Sequence, residues 1–225
     1  MRAMFITLRP IAASAAEATF TTPAQQAALR LAEHGVDVHV VELRAIQPRQ
    51  RRALRLAGPA TQSSAISDDS ALVTHALRWP VLSRGHRQAT EAFWPGAGFA
   101  FPFICSTLVD MLHAHGSDIL LAEDMLFTGY VAWRLREITG IPYVIACGQN
   151  DMAALENPKT AQHALREAIG RDAQCIIGRR VSSAQPRSQD WQIRFRFLEN
   201  GELSGPQLKE LLEQAVQQSS SGFDW

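Results

Sequence analysis

Cysteine is scarce in this chain, and the three present, Cys105, Cys147 and Cys175, lie far apart in apolar surroundings. Such spacing excludes a disulfide framework or a zinc knuckle and favours reduced, buried thiols, as in a cytosolic protein. An excess of charge is lacking too. Lys and Arg number 22 and so do Asp and Glu, so no global field draws nucleic acid or an acidic membrane, and binding of that kind must be local. No stretch approaches the ~18 apolar residues of a membrane span, which leaves only a monotopic contact open. The N-terminal apolar run, Ala3 to Leu8, is broken by Arg9-Pro10 after six residues, short of the roughly 7–15 of a secretory signal. A Gly-x-Ser-x-Gly elbow, a Walker loop and a dinucleotide fingerprint are all missing, which removes the common isolated α/β enzymes.

What remains is an ordinary globular composition, 46% hydrophobic and 20% charged over 225 residues, enough for one well-buried domain or two small ones. Its pattern is a β-α-β rhythm. Thr22 can cap a helix, Pro23 suits its first turn and Gln25 the third position. Ala24, Ala27, Ala28, Leu31 and Ala32 then share one face, and Gly35 closes the helix before the strand Val36 to Val41. The same grammar recurs with Ile104, Leu108, Met111 and Leu112 before Gly116, with Val131, Leu135 and Ile138 before Gly140, and with Ala161, Ala164, Leu165, Ala168 and Ile169 before Gly170. Short apolar strands follow, the strongest being Val38 to Val41 and Tyr143 to Ala146. These predict an α/β fold: a doubly wound, mainly parallel, Rossmann-like sheet flanked by helices.

Other segments read differently. Arg44 to Gly58 is arginine-rich, Pro59 to Ser70 is polar and turn-like, and Ala71 to Leu77 is a strand. Phe93 to Phe103 is an aromatic loop leading into a helix. Past Gly178 the rhythm stops, so residues 1–181 are expected to form the Rossmann-like domain. Residues 182–225 then carry a linker, an edge strand at Trp191 to Leu198, and an amphipathic helix with Leu208, Leu211, Leu212 and Val216.

Ligands bind beyond the carboxyl ends of strands in open α/β sheets, which selects Glu123-Asp124 and Gly148-Gln149-Asn150-Asp151. Two neighbouring carboxylates can divide acid and base roles or bind a cation; alternatively Asp124 caps a helix beginning near Met125 and Asp151 caps or closes a turn. Gln149 and Asn150 suit sugar hydroxyls or loop amides. Arg49, Arg51, Arg52 and Arg55 form an acid-free run that can hold a lipid phosphate or another anion, or simply be solvated. The aromatic loop can stack on sugars, touch a bilayer interface or pack into the core. His113 and His115 are two apart at a helix end, so they point to different sides and are expected to face solvent, where their charge suits the dipole. No metal site or cofactor is expected.

The stretch Leu29 to Val41, then Asp118 to Asp124, Gly140-Ile141-Pro142-Tyr143-Val144, Asp151, and Arg171 to Ile177 resemble, in order and spacing, the N-terminal, acceptor-side domain of family 4 glycosyltransferases. Those enzymes have two facing Rossmann-like domains, the GT-B arrangement. The resemblance covers roughly residues 1 to 180 and implies hexosyl transfer from a nucleotide sugar, with Asp151 and Glu123 orienting the acceptor hydroxyl and Gly148, Asp124, Gln149 and Asn150 binding substrate. The departures matter equally. Pro10 to Thr22 has no glycine, where the family brings bare amides to the donor phosphate. Family histidines near Glu123 and Gly148 are replaced, and the serine expected after the next strand is Gly178. About 45 residues follow the match, against a domain-sized ~150 for the nucleotide-sugar domain. An acceptor-binding half that is inactive until a partner supplies that domain is therefore the expectation, cytoplasmic and at most peripheral to the inner membrane face. The alternative is a non-catalytic module that binds a glycan, nucleotide or protein.

Overall fold

A computed structural model of the chain describes residues 1–8, 23–46, 60–67, 70–80, 100–148, 151, 154–155, 162–179, 195–198 and 204–221. Among these, eight strands form one sheet: β1 (Arg2–Thr7), β2 (Asp37–Ile46), β3 (Ala60–Ser67), β4 (Ser70–Pro80), β5 (Ile119–Ala122), β6 (Tyr143–Cys147), β7 (Cys175–Arg179) and β8 (Phe195–Leu198). Five helices accompany them: α1 (Pro23–Glu33), α2 (Ala100–His115), α3 (Thr128–Thr139), α4 (His163–Asp172) and α5 (Gly205–Ser221). The spatial order is β3-β4-β2-β1-β5-β6-β7-β8. Only β3 runs antiparallel to its neighbour; every other adjacent pair is parallel.

Strands buried on both faces are apolar throughout rather than alternating, and β1, β5 and β6 obey this at every position but their termini. Ala28, Leu31 and Ala32 of α1 and Leu208, Leu212 and Ala215 of α5 cover one face of the sheet, with Phe5, Val38, Val40 and Leu121 beneath them. Ile104, Leu108 and Leu112 of α2, Val131 and Leu135 of α3, and Ile169 of α4 cover the other, against Met4, Ile6, Val41 and Tyr143. Helices on both faces make the sheet doubly wound. The C-terminal helix thus belongs to the same core as α1, and β8 extends the sheet beyond β7. Cys105, Cys147 and Cys175 are all free and buried.

The glycine punctuation holds for three helices. Gly35, Gly116 and Gly140 have φ of 76°, 63° and 75°, the left-handed cap that only glycine adopts without strain. The fourth case differs. Gly170 is buried inside α4, which ends at Ala173 with its N–H donating to Ile169 O at 3.1 Å. Ala164 and Ala168 face solvent while Arg166 lies on the half-buried side, because the packed stripe runs through Ile169, Gly170 and Ala173. Ile138 is likewise exposed rather than on the apolar face of α3.

Two strand boundaries also depart from expectation. The polar run at Ala60 to Ser67, read as a turn, is β3, an antiparallel edge strand on β4 with an irregularity between Ala65 and Ser67. An edge strand needs backbone pairing on one side only, so it needs no apolar run to announce it. Strand β2 continues to Ile46, five residues past Val41, because β4 offers it partners as far as Pro80; Arg44 therefore lies within a strand and not in the arginine-rich loop.

Gly129, in the first turn of α3, is the tightest backbone approach. A Cβ there would stand 2.7 Å from the Asp124 carbonyl oxygen and 3.5 Å from Ile169 Cγ2. Gly129→Ala is expected to cost about 1–3 kcal/mol through forced backbone movement, seen as a lower Tm; Gly148→Ala, whose Cβ would meet nothing within 4 Å, should melt near wild type.

Candidate functional site

From β1 the chain steps outward to β2 and β4, and from β5 it steps the other way to β6, β7 and β8. The crevice at the carboxyl ends of β1 and β5 is thus the switch point at which open α/β sheets bind ligands. Glu123 follows β5 directly and is pinned across this crevice. The Thr7 hydroxyl donates to Glu123 Oε2 at 2.6 Å and the Leu8 N–H donates to the same oxygen at 3.1 Å. Thr7 is fully buried, so the hydroxyl has no competing water.

Asp124 is spent differently. Its Oδ1 accepts from the Phe127 N–H at 2.6 Å, and the Thr128 hydroxyl donates to Oδ2 at 3.1 Å. The Thr128 and Gly129 amides also point back to this residue, at 3.3 Å to the carboxylate and 2.8 Å to the carbonyl. The carboxylate therefore satisfies the free amides where α3 begins, and the helix starts at Thr128, three residues later than the start expected near Met125. Burial raises the Asp124 pKa and Glu123 adds to the rise, while the amides and hydroxyl oppose it.

Asp151 completes the group. Amides of Met125, just past β5, and Gly148, just past β6, donate to its carboxylate, so it ties the two strand ends together. Burial, reinforced by the charge of Asp124, pushes its pKa up to about 6 despite the opposing Arg166 guanidinium. The Cys147 thiol is driven well above its ordinary value by burial and then by Asp151 and Asp124. It stays protonated and is no nucleophile. Among the described residues, none lies within 4 Å of where a Gly148 Cβ would stand. A carboxyl that changes charge near neutral pH, beside a fixed carboxylate and an open strand end, can accept a hydroxyl proton or hold one.

The carboxylates at 123, 124 and 151 and Gly148 are thus brought together. Gln149, Asn150, Arg49, Arg51, Arg52, Arg55 and the aromatic residues 93–99 lie outside the described residues. At the start of α2 the Phe101 ring packs against Tyr130 with centroids 5.0 Å apart, whereas Phe103 is exposed. Thr7, Thr128 and Arg166 were not legible as site residues.

A second polar cluster lies at the opposite edge. His115, expected to face solvent, instead stacks on His39 of β2 with ring centroids 4.1 Å apart, and His75 of β4 lies 5.0 Å from it. Gly116 lets the chain turn directly after His115, which leaves the imidazole lying over the sheet; His113 does face solvent. Burial, followed by the neighbouring imidazoles, pushes His75 down to about 4 and lowers His39.

No protein-family model matches the sequence, and no curated protein is similar to it. Solved structures are similar in shape. Arabidopsis thaliana UGT89C1 complexed with UDP superposes with a TM-score of 0.54 at 12% identity, covering 95% of this chain and 57% of that one. The same protein complexed with quercetin gives 0.54 at 13% identity, covering 88% and 50%. UDP-GlcNAc 2-epimerase from Methanocaldococcus jannaschii is a looser match, with a TM-score of 0.40 at 10% identity, covering 80% and 39%. The likeness to UGT89C1 establishes a GT-B-type, Rossmann-like fold, and the chain spans about half the length of that protein.

The elevated Asp151 pKa has a sign that can be tested. Its folded value of about 6 lies above the ordinary 3.8, so its contribution to stability is complete below pH 3.8 and is lost as pH rises through 6. Asp151→Asn keeps the neutral form at every pH. Its stability relative to wild type should therefore grow between pH 4 and 7, by an amount of order 2–3 kcal/mol. Denaturant midpoints that run parallel for the two proteins would show that folding does not raise the Asp151 pKa.

Proposed function

We propose that this chain is the acceptor-binding half of a GT-B-type glycosyltransferase related to family 4, inactive until a nucleotide-sugar domain faces it from the same or another chain. The observation that carries this reading is the carboxyl group of Asp151, raised to about 6 by burial and by the neighbouring Asp124 at the carboxyl ends of the strands. An acceptor hydroxyl there needs a base that exchanges its proton near neutral pH, and Asp151 has that property while Glu123, held by Thr7 and Leu8, orients. Substrate hydroxyls would reach the crevice over Gly148, which no other described residue crowds. Coverage of 57% and 50% of UGT89C1 supports one half of a two-domain enzyme, and the resemblance of residues 1 to 180 to the N-terminal half supports the acceptor side. UGT89C1 is a protein solved with UDP and, separately, with quercetin, so one protein of this fold holds both a nucleotide and quercetin. Three buried free thiols suit a cytoplasmic protein, and no helix among the described residues is long and apolar enough to cross a membrane.

A second reading, a non-catalytic binding module, draws support from Asp124, whose carboxylate serves α3, and from the glycine-free stretch between Pro10 and Thr22. The two readings separate in a thermal-shift screen of the purified chain with UDP-glucose, UDP, simple glycans, phenolic acceptors and lipid phosphates. A ligand at a hundredfold excess over its Kd stabilises by about 2.7 kcal/mol, roughly 5–10 °C at this chain length. Stabilisation by an acceptor, abolished in Asp151→Ala, with no turnover of UDP-glucose, is expected. Turnover by the isolated chain, or an acceptor shift that survives Asp151→Ala, would overturn the assignment.

A further inference from the structure

His39, His75 and His115 come from three elements separated by 36 and 40 residues, yet one ring nitrogen from each lies within 4.8 Å of the other two. Strand pairing produces the first contact. His39 registers with Val73 and Val41 with His75, so the two histidines are diagonal neighbours on the same face of adjacent strands, the face covered by α2. His115 is the last residue of α2 and closes over them. His39 and His75 are 7% and 4% exposed, a buried polar pair on the sheet face that α2 covers.

We propose that these three histidines bind one divalent transition-metal ion of the zinc class, at the edge of the sheet opposite the carboxylate crevice. His39 Nδ1 and His75 Nε2 are 3.2 Å apart. Two nitrogens bound at ~2.0 Å to a tetrahedral ion stand about 3.3 Å apart, so this pair already has the required spacing, and the His115 ring, stacked on His39, turns about its side-chain bonds to aim its nitrogen at the ion. The ligand set is all imidazole, which suits zinc, cobalt, nickel or copper and disfavours the oxygen-seeking calcium and magnesium. Asp37 supplies the supporting contact. Its Oδ1 is buried without a hydrogen-bond partner and lies 3.6 Å from His39 Nε2. A proton on Nε2 directed at that carboxylate leaves the Nδ1 lone pair for the metal, the arrangement that orients metal-bound histidines.

Arg2 braces the outside. Its guanidinium donates to the His115 carbonyl at 3.3 Å and lies 3.8 Å from Asp37 Oδ2. A hydrogen-bonded core histidine pair would explain His39 and His75 alone. It would not explain why His115 brings a third ring nitrogen within 4.8 Å of both. Three protein ligands leave a position for water or an external ligand, and the ion would fasten the end of α2 to β2 and β4.

The test uses the full chain stripped with chelator and titrated with Zn2+ against a chromophoric competitor, with Co2+ added separately for its visible ligand-field band. One Zn2+ per chain at micromolar Kd or tighter, a raised Tm and a cobalt band are expected. His115→Ala, at a half-buried helix end, should stay folded by circular dichroism yet weaken binding at least tenfold and lose the band, while His113→Ala, two residues away and exposed, keeps both. His75→Gln gives an independent second ligand removal. Absence of stoichiometric binding to the folded wild-type chain, or binding unchanged in both His115→Ala and His75→Gln, or weakened as much by His113→Ala, would overturn the proposal.

Discussion

β1 is the constraint on which the remainder depends. It is six residues long, paired in parallel to β2 on one edge and β5 on the other, and Ala3 to Ile6 are fully buried on both faces. A strand in that position has every backbone group committed to a ladder and cannot shift register, since a slip of one residue would exchange its two apolar faces. With β1 fixed, its two neighbours must be reached by crossovers in opposite directions. That geometry creates the crevice at Thr7 and Glu123 at one end and brings Arg2, Asp37 and the end of α2 together at the other.

The two polar clusters are consequences of the same packing. At the carboxyl edge, the sheet delivers Glu123, Asp124 and Asp151 to adjacent strand ends, and burial sets their behaviour. Asp124 is consumed by the amides that begin α3, Glu123 is held by β1, and Asp151 remains the group whose charge responds near neutral pH. At the amino edge, helix α2 returns antiparallel to the strands, so its last residue lands on the first residues of β2. Gly129 sits between these demands, allowing α3 to approach the Asp124 carbonyl and α4 at once.

Much of the fold was legible because local physics repeats. Apolar runs of four to six residues, helices with one small apolar face, and glycine where a left-handed cap is needed each leave a mark at short range. The misreadings have equally local causes. Ala60 to Ser67 pairs through its backbone, which no side-chain pattern reports. The stripe of α4 was read through Ala161, Ala164, Leu165, Ala168 and Ile169 because alanine is compatible with either face; Ile169 is buried as read, while packing turned Ala164 and Ala168 outward and buried Gly170 and Ala173 instead. At the site, the carboxylates could be named from their place after strands. Thr7 and Arg166 could not, since a threonine ending a strand and an arginine on a helix are unremarkable until something faces them.

By itself, the sequence determined the α/β class, the strands that are buried on both faces, the burial of three scattered cysteines, and the strand ends after which Glu123, Asp124 and Gly148 fall. These follow from the periodicity and composition of contiguous residues. Tertiary structure alone decided which carboxylate is spent on a helix and which stays protonatable, and it alone gathered His39, His75 and His115. Distances between residues 36 and 40 positions apart depend on strand order and register, and those are settled by the burial of whole elements rather than by any local segment.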